Sequence, residues 1–250
     1  MKSPSDAAGA AADRTLFNRA LAEAIAAPDV RSVPARLCQA CVDLLDVTGA
    51  SVSLSGGPGL RTLWWSSDPV AAELAEVQYT LGDGPCQSAL GLVAPVLAGD
   101  LAQGVDARRW PLFAQRAVEL GVRAVFSLPL GSAAVATGTL DLYRREQGPL
   151  SARDKAFAFP AADAITFALI RIHSDAAAQA GSDEEELASW LEGAESDHEE
   201  VHYATGMLMV QLGVDPHHAL ARLRAYAFAQ GRTVTEVARD VIALKLSFDE

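Results

Sequence analysis

The last fifty residues carry a punctuation that leaves few folds open. The run VHYATGMLMVQLGV at 201–214 is followed by DPHHALARLRAYAFAQGRTVTEVARDVIALKL at 215–246. Gly213 breaks the first periodic stretch, and Asp215 then stands as an N-cap with Pro216 at the first helical position, where its missing N–H costs nothing. Gly231 closes the second stretch. Thr233 and Glu236 form an S/T-x-x-E capping box, and Val234, Val237, Ala238, Val241 and Ile242 mark one apolar face of a third helix. Three short helices are therefore expected. On the second, Leu220, Leu223 and Ala227 face inward, so Arg222 points out and Arg224 flanks the core. Arg239 lies off the third apolar stripe, and Lys245 falls on it near its end, where a long side chain snorkels or reaches a phosphate.

Charge divides the chain more sharply than its net value of −12 suggests. Nine Asp or Glu fall within 182–200, and no Lys or Arg occurs from 172 to 221. From 216 to 248 the balance reverses, with Arg222, Arg224, Arg232, Arg239 and Lys245 against Glu236 and Asp240, a local +3. The overall acidity argues against indiscriminate nucleic-acid binding, while the local reversal offers a modest basic footprint on a small helical surface.

The order of residues in this segment resembles the ANTAR domain of bacterial transcription antitermination regulators. The matching pieces are ATGMLM at 204–209, ALARLRA at 219–225 and EVARDV at 236–241. The resemblance implies a module, over 184–247, that binds paired stem-loops in nascent RNA, with Arg222, Arg224, Arg232, Arg239 and Lys245 as the basic contacts. Basic side chains on adjacent helix faces suit a structured RNA read through its backbone and loop bases.

Ahead of it the pattern alternates. Residues 16–27 and 34–45 carry helical spacing, whereas 51–55, 61–65, 94–98, 124–130 and 137–143 are short, turn-bounded strand runs. The Gly-Gly-Pro-Gly link at 56–59 is too short for a crossover helix, so the first two strands form an antiparallel hairpin. Residues 110–120 read as a helix, and Ser151 with Asp154 caps a long last one reaching about His173. The expected class is α+β, an antiparallel sheet with helices on one side. This portion, residues 14–173, resembles a GAF domain in LGDGPCQSAL at 81–90, in 109–130 and in 138–151. That resemblance implies a sensory or dimerising domain and names no ligand, since the Asn-Lys-Phe-Asp-Glu signature of cyclic-nucleotide-binding members is not recognisable. The effector and any cofactor are unknown.

Residues 174–183 read as the linker. Beyond them Leu187, Leu191, Ala194, His198, Val201, Thr205, Leu208 and Leu212 recur at steps of four and three, a heptad stripe. It is either one side of an intramolecular bundle or a coiled coil between two subunits; a homodimer through Leu187, Leu191, Val201, Leu208 and Leu212 is expected.

Other constellations are weaker. Cys38 and Cys41 form a C-x-x-C inside a helical apolar pattern with no second Cys or His pair nearby, which suits core thiols rather than zinc. Cys86 follows Gly82-Asp83-Gly84-Pro85 at a helix start, where N-terminal amides favour a thiolate, and becomes a candidate pocket or redox residue. Trp64, Trp65, Tyr79, Trp110 and Phe126 are the aromatics expected around a small-molecule cavity, with core packing as the plainer alternative. No metal site is expected from the five histidines, and no nucleophile elbow, P-loop or dinucleotide fingerprint is present. A non-enzymatic regulator is therefore expected. The absence of an eighteen-residue apolar run and of a secretory N-terminus points to the cytoplasm. A ligand- or redox-sensing dimer acting on a protein partner is the alternative, and a DNA-binding helix-turn-helix fits the low positive charge poorly.

Overall fold

The computed structural model describes residues 4–57, 60–132, 134–179 and 199–248. Two helices, α1 (Pro4–Ile25) and α2 (Val33–Leu44), precede the hairpin β1 (Gly49–Gly57) and β2 (Leu60–Ser66). Then come α3 (Pro69–Leu81), α4 (Pro85–Leu92), β3 (Val96–Ala98), α5 (Gly104–Arg109) and α6 (Pro111–Glu119). Strands β4 (Ala124–Gly131) and β5 (Ala136–Arg144) complete a five-stranded sheet of order β2-β1-β5-β4-β3, antiparallel throughout. The long α7 (Ala152–Gln179) follows, and the C-terminal module is α8 (Glu199–Leu212), α9 (Pro216–Ala229) and α10 (Val234–Ile242).

All five expected strands are present, and the β1–β2 link is the anticipated hairpin. The side of the helices differs from expectation. Alternation sends Ala50, Val52, Phe126, Leu128, Leu140 and Leu142 to one face, where α1, α2 and α7 cover them. Val125 and Tyr143 point the other way, into a second core with Leu74 of α3, Phe113 of α6 and Trp110 from the joint between α5 and α6. Helices therefore cover both faces. The one-sided expectation rested on the order of elements and on layer architecture, which do not fix how the helices divide between the faces; α3, α4 and α6 pack on the second one.

Helix α7 begins as read, with Ser151 Oγ accepting the Asp154 amide at 3.0 Å, but it runs on to Gln179 through part of the segment read as linker. Helix α3, which positions the site below, is held at both ends. Asp68 caps it, Oδ1 accepting from the amides of Val70 and Ala71 at 2.9 and 3.0 Å, and Gly82 ends it in the left-handed region at φ 63°. The same carboxylate accepts from Tyr143 Oη at 2.9 Å and Ser67 Oγ at 2.6 Å, tying helix to sheet. Asp68→Ala therefore removes a cap and orphans a phenol, and is expected to destabilise the sensor domain by about 2–3 kcal/mol. Urea unfolding measures it, and Asp68→Asn should recover most of the loss; an Ala variant with an unchanged midpoint would show that the cap is dispensable.

Candidate functional site

In the C-terminal module each helix contributes one stripe to a common core: Val201, Ala204 and Leu208 from α8, Ala219, Leu223 and Ala227 from α9, and Val234, Val237, Ala238 and Val241 from α10. The local signals act as read. Asp215 accepts the His218 amide at 3.0 Å, and Thr233 and Glu236 close a reciprocal capping box. Val201 and Leu208, expected in an intersubunit seam, are buried inside their own module, and Leu212 packs half-buried against the same cluster. The described half of the heptad stripe thus serves an intramolecular bundle, while Leu187 and Leu191 lie outside the described residues.

The basic residues divide by what each helix face meets. Arg222 and Lys245 are exposed. Arg232 pairs with Asp240 at 2.8 Å and Arg239 with Glu200 at 3.1 Å. Solvent-exposed pairs of this kind contribute about 0–1 kcal/mol, so a phosphate competes for them readily. Arg224 is placed differently. With 219, 223 and 227 committed to the core, position 224 turns toward α3, where its guanidinium carbon lies 5.4 Å from the centre of the Tyr79 ring. Its Nε is buried without an acceptor, and burial pushes its pKa down.

Tyr79 is the counterpart. It leaves the sensor domain's own cores and joins the cluster of the C-terminal module, 1% exposed. Burial pushes the phenol pKa up, with the nearby Arg224 charge opposing that shift. One turn of α3 completes the contact: the Val234 amide donates to Thr80 Oγ1 at 3.1 Å, and Thr235 Oγ1 donates to Glu76 Oε1 at 3.4 Å. Cavities of about 870, 470 and 290 Å³ open along this seam.

The sheet holds a second candidate, on the face under α3 and α4. Register aligns Ser51 with Asp141 and Asp141 with Ser127, and Ser53 with Thr139, in a buried polar patch across three strands. Thr139 Oγ1 donates to Asp141 Oδ2 at 2.9 Å, whereas the hydroxyls of Ser53 and Ser127 find no partner. Such groups are uncommon in a dry interior and suit a small polar ligand. On α3, Gln78 Oε1 accepts the Cys86 amide at 2.8 Å, tying α3 to the first turn of α4. These polar residues were not singled out from sequence, although their alternation with apolar neighbours is visible in the strand runs.

The aromatics read as pocket candidates do not gather around one cavity. Trp64 and Phe126 belong to the core beneath α1, α2 and α7, Trp110 to the opposite one, with its Nε1–H donating to Ser88 Oγ at 3.1 Å. Tyr79 serves the seam. Cys86 is fully buried, as are Cys38 and Cys41. Burial pushes the Cys41 thiol up to about 12 and the Cys38 thiol well above its ordinary value, so neither supplies thiolate at neutral pH. Among the described residues no group of three or more His, Cys, Asp or Glu gathers as a metal site, and no helix is long and apolar enough to cross a membrane.

Comparison with known proteins places these two parts. Residues 191–242 match the model of the ANTAR domain. The sensor part is similar to the GAF domain of a phosphoenolpyruvate-protein phosphotransferase from Coxiella burnetii, at 15% identity and a TM-score of 0.53, covering 67% of this chain and 98% of that one. It is also similar to free methionine-R-sulfoxide reductase from Neisseria meningitidis, solved with its substrate, at 15% identity and a TM-score of 0.52, covering 67% and 93%. The GAF domain of an Acinetobacter phosphoenolpyruvate-protein phosphotransferase matches at 11% identity and a TM-score of 0.50, covering 65% and 95%. None of the curated proteins compared matches the sequence. At these identities the likeness establishes the fold, and a fold shared by domains of a phosphotransferase and by a reductase does not decide chemistry.

Proposed function

We propose, from the premise that this chain joins a domain of GAF fold to an ANTAR domain at residues 191–242, that it is a cytoplasmic, signal-responsive regulator of transcription. The ANTAR domain binds paired stem-loops in nascent RNA and promotes antitermination, and the GAF domain gates that contact. The observation that carries the gating is Arg224, one of the five basic residues of the module, turned onto Tyr79 of α3 and held in the seam between the domains. While the two domains are docked this cation lies inside the seam cavity, where a small anion fits but an RNA strand does not. An effector that alters α3, whose Gln78 ties to the start of α4, shifts the docked population. The reading is of a non-enzymatic protein acting as a homodimer, with a small polar molecule as effector.

The test is hairpin binding across a salt series, with a tandem stem-loop RNA set against duplex DNA of the same length. Arg222→Ala and Lys245→Ala, both at exposed positions, should each weaken RNA binding and reduce the salt slope by about one, with the fold intact. Equal affinity for both nucleic acids removes the hairpin reading. No binding at low salt leaves a protein partner as the target.

A further inference from the structure

The largest seam cavity, about 870 Å³, has walls from both domains: the C-terminal end of α3 on one side and α8 and α9 on the other. That volume falls in the range of small-molecule sites, roughly 300–1,000 Å³. Its lining joins two chemistries. Leu81, Leu112, Leu220 and Phe228 make it chiefly apolar, and Leu112 and Phe228 stand 45% and 51% exposed. Into the same cavity projects Arg224.

The charge of Arg224 is incompletely answered by the protein. Arg232 and Arg239 each have a carboxylate, whereas among the described residues none pairs with Arg224. The carboxylate that lines the same cavity, Asp215, is taken by His218 Nδ1 at 2.6 Å. What Arg224 does meet is the Tyr79 face and the carboxyl end of α3: a Cβ placed on Gly82 would lie 2.7 Å from its Nη1. A helix C-terminus carries only about half a negative charge, and Nε is still without an acceptor. A desolvated guanidinium in this state favours an incoming anion, which gains a charge-assisted pair without bringing Arg224 out of water a second time.

We infer that this seam cavity is a binding site for an amphiphilic anion, a molecule with an aromatic or aliphatic body and one carboxylate, phosphate or sulfonate, the anionic group pairing with Arg224 and the body lying on Leu112, Leu220 and Phe228. The site is distinct from the buried polar patch of the sheet. Because its walls come from both domains, an occupant stabilises the docked arrangement by its differential affinity for it. Under the antitermination reading such a molecule is a corepressor, although its binding stands independently of that reading.

The experiment uses the full chain without RNA and two probes of like shape: 8-anilinonaphthalene-1-sulfonate, which carries the anion, and N-phenyl-1-naphthylamine, which does not. Saturable one-to-one binding of the sulfonate is expected, tighter than that of the neutral probe. Arg224→Gln should weaken the sulfonate about tenfold or more, as loss of a charge-assisted hydrogen bond does, and leave the neutral probe unchanged. Phe228→Ala, at an exposed position that does not threaten the fold, should weaken both probes several-fold. Equal binding of the two probes by the native chain, or sulfonate binding indifferent to both substitutions, overturns the proposal. A failure of hairpin binding leaves this result untouched, so the two readings fail separately.

Discussion

Leu208→Asp is expected to unfold the ANTAR domain while leaving the GAF domain folded. Leu208 is fully buried where α8, α9 and α10 meet, so the substitution removes a leucine's packing and leaves a carboxylate with no partner. Together these cost about 4 kcal/mol or more, comparable with the whole stability of a bundle this small. Far-UV circular dichroism should lose the contribution of three helices, a calorimetric transition for the GAF domain should persist, and hairpin binding should vanish. Leu208 also falls on the heptad stripe, so light scattering sharpens the result. Native helicity with a halved mass would mean that Leu208 faces a second subunit and that the intramolecular core is misassigned.

Glu76→Lys is expected to undock the two domains and raise hairpin affinity about tenfold, a coupling within the usual range for linked sites. Glu76 accepts from Thr80 and Thr235 beside the first turn of α10, where unsatisfied amides favour negative charge. A lysine there meets the positive end of that helix, with Arg239 lining the same cavity and Arg116 and Arg232 the neighbouring one. Undocking frees Arg224 for phosphate. Small-angle scattering should show a larger radius of gyration, and anisotropy the tighter binding. A larger radius with unchanged affinity would show that docking does not gate the RNA surface.

How far the sequence led depends on the range of each signal. Caps and turns are local, so Asp215, Gly231, Thr233 with Glu236, and Ser151 with Asp154 were readable, because each is a hydrogen bond or a dihedral within a few residues. Strand placement was likewise readable from period-two runs and turn residues. The family resemblances rested on such motifs, and the ANTAR match and the GAF fold agree with them.

What the sequence by itself determined is where helices and strands begin, which stripe of each is apolar, and that a basic helical module follows an α+β domain. Only the tertiary structure decided what meets the remaining faces. A period of 3.6 shows that Arg224 lies beside the core of α9, but not that another domain lies over it; Tyr79 has the same aromatic character whether it lines a pocket or crosses a seam. Ser53 and Ser127 alternate with apolar neighbours as solvated residues would, and α3 and α4 bury them. The heptad of α8 was equally compatible with a partner helix and with α9 and α10, and its described half packs on the latter. Periodicity reports that a face must be covered; the covering surface comes from another element, more than a hundred positions away in the case of Arg224 and Tyr79, and only packing brings the two together.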